Sequence, residues 1–208
     1  MPTSDAICDI VIADTGGFFA PNVIKRQLIE TARDFCRFSM ALNKDVAAVV
    51  DATSIDASKN YAASVVIPTV ADCEAFGIFW LTMNGRKVAC VERGANSPLG
   101  ASILSHTGGV FFDLSNPTTC LIHPVPSGGD IRFFAAFMPS MAAASINDEL
   151  WDSYGAGIIA GTKANLLMMP GYQTFNANAA TLFANVYAAS KKKARSDVSK
   201  KIIGEKCL

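Results

Sequence analysis

The sequence predicts an α+β fold, a bundle of long α-helices with an inserted antiparallel β-sheet domain of sandwich-like or barrel-like form. Three observations predict it. An amphipathic helical pattern begins at Pro21. Short β-branched and aromatic runs, separated by turn residues, occupy the middle of the chain. Helical patterns then return after Pro139. The simplest packing unites residues 1–45 and 139–208 in a helical domain with a C-terminal tail. Residues 46–138 then form a β domain inserted into it.

Pro21 suits the first turn of a helix, where its missing N–H costs nothing. Downstream, Ile24, Leu28, Phe35 and Leu42 fall near one face, with Thr31 and Ser39 filling in. Lys25, Glu30, Arg33, Asp34 and Arg37 fall mostly elsewhere. The expectation is an amphipathic helix of about 20 residues, or roughly 30 Å. The seven strand candidates are Ala47–Asp51, Ser64–Ile67, Ala75–Met83, Lys87–Val91, Val110–Leu114, Thr119–Ile122 and Ile131–Phe137. Asn84-Gly85 between two of them is the strongest hairpin signal, because a type I′ turn needs positive φ at both central residues. After Pro139, Ser145 and Asp148 have capping-box spacing, and a helix is expected from about Asn147 to Met168. Pro170-Gly171 forces a turn. A last helix is expected from about Phe175 to Arg195 or beyond, with Leu182, Phe183, Val186 and Tyr187 as its apolar seam. Lys191–Lys193 would favour its C-terminus through the macrodipole.

Half of the 208 residues are hydrophobic and 17% are charged. Such a chain can bury a core without crosslinks, and its sparse charge suits a surface partly covered by partner subunits. The net charge is zero, which removes the overall basic signature of a free nucleic-acid binder. The balance is uneven, however. Residues 184–208 carry seven bases against two acids, a net of +5, which leaves −5 for the remainder. The six cysteines form no CxxC pair and no cluster with histidine at metal-ligand spacing. They read as free thiols in a reducing compartment where the chain is assembled. The run Ile7–Ala13 is interrupted by Asp9 and lacks a basic start, so it does not read as an export signal. The uncharged stretch Ala164–Ser190 contains Pro170, Gly171 and several asparagines. It reads as two helices around a turn, with no membrane span expected.

Few residues point to chemistry. Gly155, Gly157 and Gly161 superficially suggest a phosphate loop, but no strand precedes them and the order is wrong for one. The better reading is a small-residue stripe, Ala156, Ala160 and Ala164, that lets a neighbouring helix approach. Asp148, Glu149 and Asp152 could serve acid–base chemistry or a metal. They also occupy the first turns of a helix, where negative charge is favoured. His106 and His123 have no nucleophile-elbow serine beside them. No catalytic residue, metal or cofactor is expected. The end of the chain, Lys191–Leu208, has three readings: a solvated frayed terminus, a basic arm on phosphates, or a peptide that folds onto a partner. Ile202, Ile203 and Leu208 suit the third.

Several segments in order resemble the podoviral head–tail adaptor family, also called tail tubular protein A or portal adaptors. Arg33–Ser39, RDFCRFS, is similar to that family's A-x-EFC-x-x-S pattern at the end of an early helix. Asn84-Gly85 matches its central hairpin. His123–Pro126 and Ala136–Ser140 resemble its strand closing on a Pro-containing segment. Glu149–Gly171, ending Leu166-Leu167-Met168-Met169-Pro170-Gly171, resembles its late helix, and a final helix with a basic end follows. The likeness spans roughly residues 20–200. It departs from the family at Gly161-Thr162 and in the stretch before Pro21.

The resemblance implies a structural virion protein with no enzymatic role: a ring of twelve copies joining the portal to the tail tube or nozzle, with genomic DNA passing through without sequence-specific binding. It would be assembled in the host cytoplasm and reside at the head–tail interface. The expected portal-binding residues are Lys191, Lys192, Lys193, Arg195, Lys200, Lys201, Ile202, Ile203 and Leu208. The alternatives are a peptidoglycan hydrolase acting during phage entry and a nucleic-acid-binding module using the basic end.

Overall fold

The computed structural model describes residues 8–12, 19–49, 63–66, 70, 72–83, 85–88, 90–92, 110–116, 119–123, 130–170 and 174–206. The fold is α+β. In chain order the elements are α1 (Pro21–Ser39), β1 (Asn43–Val49), β2 (Ala63–Val66), β3 (Cys73–Met83), β4 (Arg86–Val88), β5 (Cys90–Glu92), β6 (Val110–Asn116), β7 (Thr119–His123), β8 (Asp130–Pro139), α2 (Asp148–Leu167) and α3 (Ala177–Lys206). They divide into two units. One comprises Met1–Leu42, Ala71–Cys73 and Met138–Leu208; the other comprises Asn43–Val70 and Glu74–Phe137.

In the helical unit, Pro21 opens α1 and Met40 closes it in the left-handed conformation (φ 56°), its N–H returning to the Cys36 carbonyl. The buried face is Ile24, Leu28, Ile29, Thr31, Ala32, Phe35, Cys36 and Ser39. Burying each large apolar side chain there contributes about 1.5–3 kcal/mol. Thr31 and Ser39 are satisfied locally, donating to the carbonyls of Gln27 and Phe35 four residues back. Arg33 donates to the Pro139 carbonyl at 2.6 Å, which ties α1 to the chain leaving β8. The cap of α2 is Asn147, whose side chain accepts from the Glu149 N–H at 3.1 Å, and Ser145 plays no part in it. Asn176 caps α3 in the same way, accepting from the Ala179 N–H at 3.0 Å. The stretch before Pro21 has a structural role that its sequence did not disclose. A helical segment at residues 8–12 buries Cys8 and Val11 with Phe19, against Ile24 of α1 and Leu166 of α2.

Among the described residues, the β unit holds two four-stranded sheets, ordered β1-β8-β3-β4 and β2-β7-β6-β5. Leu81↔Val88, Thr82↔Lys87 and Met83↔Arg86 pair across the Asn84-Gly85 turn, and Gly85 takes φ +76° as such a turn requires. β8 lies between β1 and β3 in its sheet, and Phe133, Phe134, Ala135, Ala136 and Phe137 are buried in succession, so both of its faces are covered there. Trp80 stacks on Phe134 at 4.1 Å between ring centroids. On the exposed side, Arg132 makes a bidentate contact to the Asp45 carboxylate of β1.

The finer architecture differs from expectation in three ways. Among the described residues the helices are not a bundle of long ones: α1 and α2 have 19 and 20 residues, and α3 has 30. The left-handed Met40 limits the first, and the second ends at Leu167, three residues before Pro170. The strands do not close into a barrel, because they are shared between two separate sheets. Nor is the pairing wholly antiparallel. β5 and β6 are parallel, with Cys90 opposite Val110 and Glu92 opposite Phe112.

Candidate functional site: the basic helix and its uncharged face

The segment Lys191–Lys206 is the continuation of α3, with no break after Arg195. Its bases divide by orientation. Lys191 turns inward, its Nζ 2.8 Å from Asp34 Oδ2 on α1 and lying over the rings of Phe38 (4.9 Å) and Tyr187 (4.7 Å). Arg195 donates to the Phe38 carbonyl at 3.2 Å and lies over the Phe38 ring. Phe38 is in the last turn of α1, where carbonyls lack helical partners and positive charge is favoured. The dipole argument for these bases thus holds for a different helix. They serve the C-terminus of α1, not their own.

Lys192, Lys193, Lys200 and Lys201 are exposed, and Ile202 is half-buried. The side chain of Ile203 and the whole of Leu208 lie outside the described residues. The nine residues expected to bind the portal therefore do not form one free arm. Two of them hold α3 to α1.

Asp34, Tyr187 and Lys191 form a small network that sequence reading missed. The Tyr187 hydroxyl donates to Asp34 Oδ2 at 2.7 Å and lies 3.0 Å from the Thr31 carbonyl. Burial works to raise the Asp34 pKa. Hydrogen bonds from Lys191 and Tyr187, with the charges of Lys191 and Arg37, outweigh it and hold the carboxyl below its usual value of 3.8. Burial, then the hydrogen bond to Asp34 and its charge, push the Tyr187 phenol well above its ordinary range. Further along, Tyr154 donates to Asp197 Oδ2 at 3.3 Å, and burial followed by the Asp197 charge raises its pKa. No sequence signal pairs Asp34 with Lys191, since 157 residues separate them.

The expected seam of α3 is half right. Phe183 and Tyr187 face inward, but Leu182 is 69% exposed and Val186 55%. The packed side is Ala180, Tyr187, Ala194 and Val198. Opposite it runs an exposed stripe at three- and four-residue steps: Leu182, Val186, Ala189, Lys193, Ser196 and Lys200. Its first half is apolar and its second half basic. From Ala177 to Ser190 the helix carries no charge.

The glycines of α2 serve packing, though not through the expected alanines alone. Ala156 is exposed, whereas Ala160 and Ala164 are buried. A Cβ at Gly157 would collide with Ser190 of α3. One at Gly161 would stand 2.7 Å from both Thr31 of α1 and Tyr187 of α3. Asp148, Glu149 and Asp152 lie exposed in the first turns of α2, where the helix dipole favours them. His106 is outside the described residues, as is the side chain of His123 in β7.

Among the described residues, no group of histidine, cysteine and carboxylate side chains could hold a metal, and no helix is long and apolar enough to cross a membrane. A shallow groove lined by Lys25, Arg26, Ile29, Met141 and Ala143 is open to solvent, with Arg26 paired to Glu30 at 3.0 Å. The chain matches no protein-family model and no curated protein.

Proposed function

We propose that this protein is a structural virion component of a short-tailed bacteriophage, the adaptor ring that joins the portal to the tail tube or nozzle and surrounds the path of the ejected DNA. The observation that carries the reading is the outward stripe of α3. Leu182 and Val186 are more than half exposed on a helix that is uncharged over its first 14 residues, Ala177–Ser190, and such a face suits a covering partner. A ring of identical subunits supplies one, because each copy must present one apolar face to a different face of the next. The order of motifs resembling head–tail adaptors supports the same reading, as does the neutral overall charge, which suits a channel through which DNA slides. The last part of α3 and the residues after it, from Lys201 to Leu208, are the proposed portal contact.

Mixing the purified chain with its cognate portal ring and imaging the product by negative-stain electron microscopy tests the proposal. A second ring stacked coaxially on the portal is the expected result and gives the copy number. Bare portals beside free monomers would overturn it. Clearing of a cell-wall suspension by the chain alone would favour the hydrolase reading instead.

A further inference from the structure

Resting on the ring-forming reading, the geometry points to the surface that receives the basic half of the outward stripe of α3: we propose that it docks on the exposed, acidic start of α2 in a second copy of this chain. Two features on different helices carry the inference.

The first is the lengthwise division of the α3 stripe, with Leu182, Val186 and Ala189 apolar and Lys193 and Lys200 basic, all exposed. The second is the exposed part of α2, which is acidic at its start (Asp148, Asp152) and small immediately after (Ser153, Ala156). Asp148 and Asp152 are one turn apart and share a face.

The two helices run antiparallel in a register fixed by two contacts, Tyr154 to Asp197 at 3.3 Å and Lys163 over the Phe183 ring at 5.4 Å. That register sets the acids of α2 at the height of Lys193–Lys200. The later turns of α2, level with Leu182–Val186, are buried at Gly161–Ala164 and Leu166, so the exposed stripe of α2 stands level with the basic half of the α3 stripe alone. A neighbouring copy displaced sideways in the same orientation keeps these heights. Its α2 then meets the α3 of the first copy with acids opposite bases, and Ala156 permits close approach near the level of Lys193. Complementary charge fixes register and partner choice. The contact is heterologous, one face against a different one, which is what a ring requires and a two-fold dimer does not.

The test is a charge exchange read by sedimentation velocity, with circular dichroism confirming that each variant is folded. All four positions are exposed, so folding is expected to survive. Lys193→Glu with Lys200→Glu sets acid against acid and should weaken self-association by roughly tenfold or more. Asp148→Lys with Asp152→Lys sets base against base and should do the same. A chain carrying all four substitutions restores opposite charges and should associate as the unaltered chain does. Self-association of the first pair at the unaltered level, or failure of the fourfold variant to recover, would overturn the proposed contact.

Portal binding by the same variants separates this from the functional reading. Rings on the portal that ignore the charge exchange would sink the contact and leave the adaptor reading standing. Self-association that obeys the exchange in a chain that never stacks on the portal would sink the adaptor reading and leave the contact. A chain that is monomeric alone and on the portal overturns both.

Discussion

Lys191 of α3 and Asp34 of α1 meet at 2.8 Å, and the side chain of the lysine is far more covered than that of its partner, 18% exposed against 58%. The coverage comes from the rings of Phe38 and Tyr187, over which the ammonium lies. Tyr187 completes the contact by donating to the same carboxylate oxygen.

This network makes a pH prediction. The folded state holds the Asp34 carboxyl below its usual value, so Asp34 binds its proton less readily folded than unfolded. Its contribution is therefore fully present above the unfolded value and is lost as pH falls through the folded one. Thermal melting between neutral pH and pH about 3 should show stability falling on the acid side. Asp34→Asn should lower stability at neutral pH and flatten that acid slope. The effect is modest because Asp34 is more than half exposed. An unchanged slope in the variant would mean that other carboxylates govern the acid transition.

The glycines of α2 make a prediction in which two effects compete. Replacing a mid-helix glycine by alanine ordinarily gains roughly 0.5–1 kcal/mol. Overpacking a tight helix contact costs about 1–3 kcal/mol. At Gly157 and Gly161 the new methyl group meets Ser190, Thr31 and Tyr187, so Gly157→Ala and Gly161→Ala should both destabilise the fold in urea titration. Gly155 is the internal control. The nearest atoms to a Cβ there belong to the ring of Trp151, at 3.0–3.2 Å, and that half-buried side chain can shift. Gly155→Ala should be close to neutral.

Phe35 tests the core shared by the three helices. It is fully buried, with ring centroids 5.4 Å from Tyr154 and 6.1 Å from Tyr187. Phe35→Ala should cost about 3–5 kcal/mol, read as a lowered urea midpoint. A loss below about 1 kcal/mol would show that the site collapses around the smaller side chain.

Burial, with the neighbouring Cys73, pushes the Cys36 thiol up to about 12, and its side chain has no exposed surface. The thiolate is the reactive form, so Cys36 should stay unmodified by iodoacetamide at neutral pH until the helical unit opens. Mass spectrometry after labelling in native and denaturing buffer measures this. Rapid native labelling would mean that α1 detaches readily.

What was legible in the sequence follows what is local. The face of α1 could be read from Ile24, Leu28, Thr31, Phe35 and Ser39, because a 3.6-residue period is written into consecutive residues. The β3–β4 hairpin could be read from Asn84-Gly85, because that turn needs φ > 0. The choice between the two sides of α3 could not. Leu182 and Val186 look like core residues until Gly157 and Gly161 are seen to draw the opposite side, Tyr187 and Ser190, against α2. The inward turn of Lys191 was hidden likewise, since its partners Asp34 and Phe38 belong to the other end of the chain. For the surface proposed to meet other copies, the sequence supplied the absence of charge but not the direction in which it faces.

The placement of α1 also bears on synthesis. Its buried stripe leaves the ribosome early, yet two of the helices that cover it begin only at Asp148 and Ala177. At about 5–20 residues added per second, Ile24, Leu28 and Phe35 wait on the order of ten seconds for those partners. The apolar face of that helix stays without its cover through that interval, and the core of the helical unit is complete only after the last helix has been made.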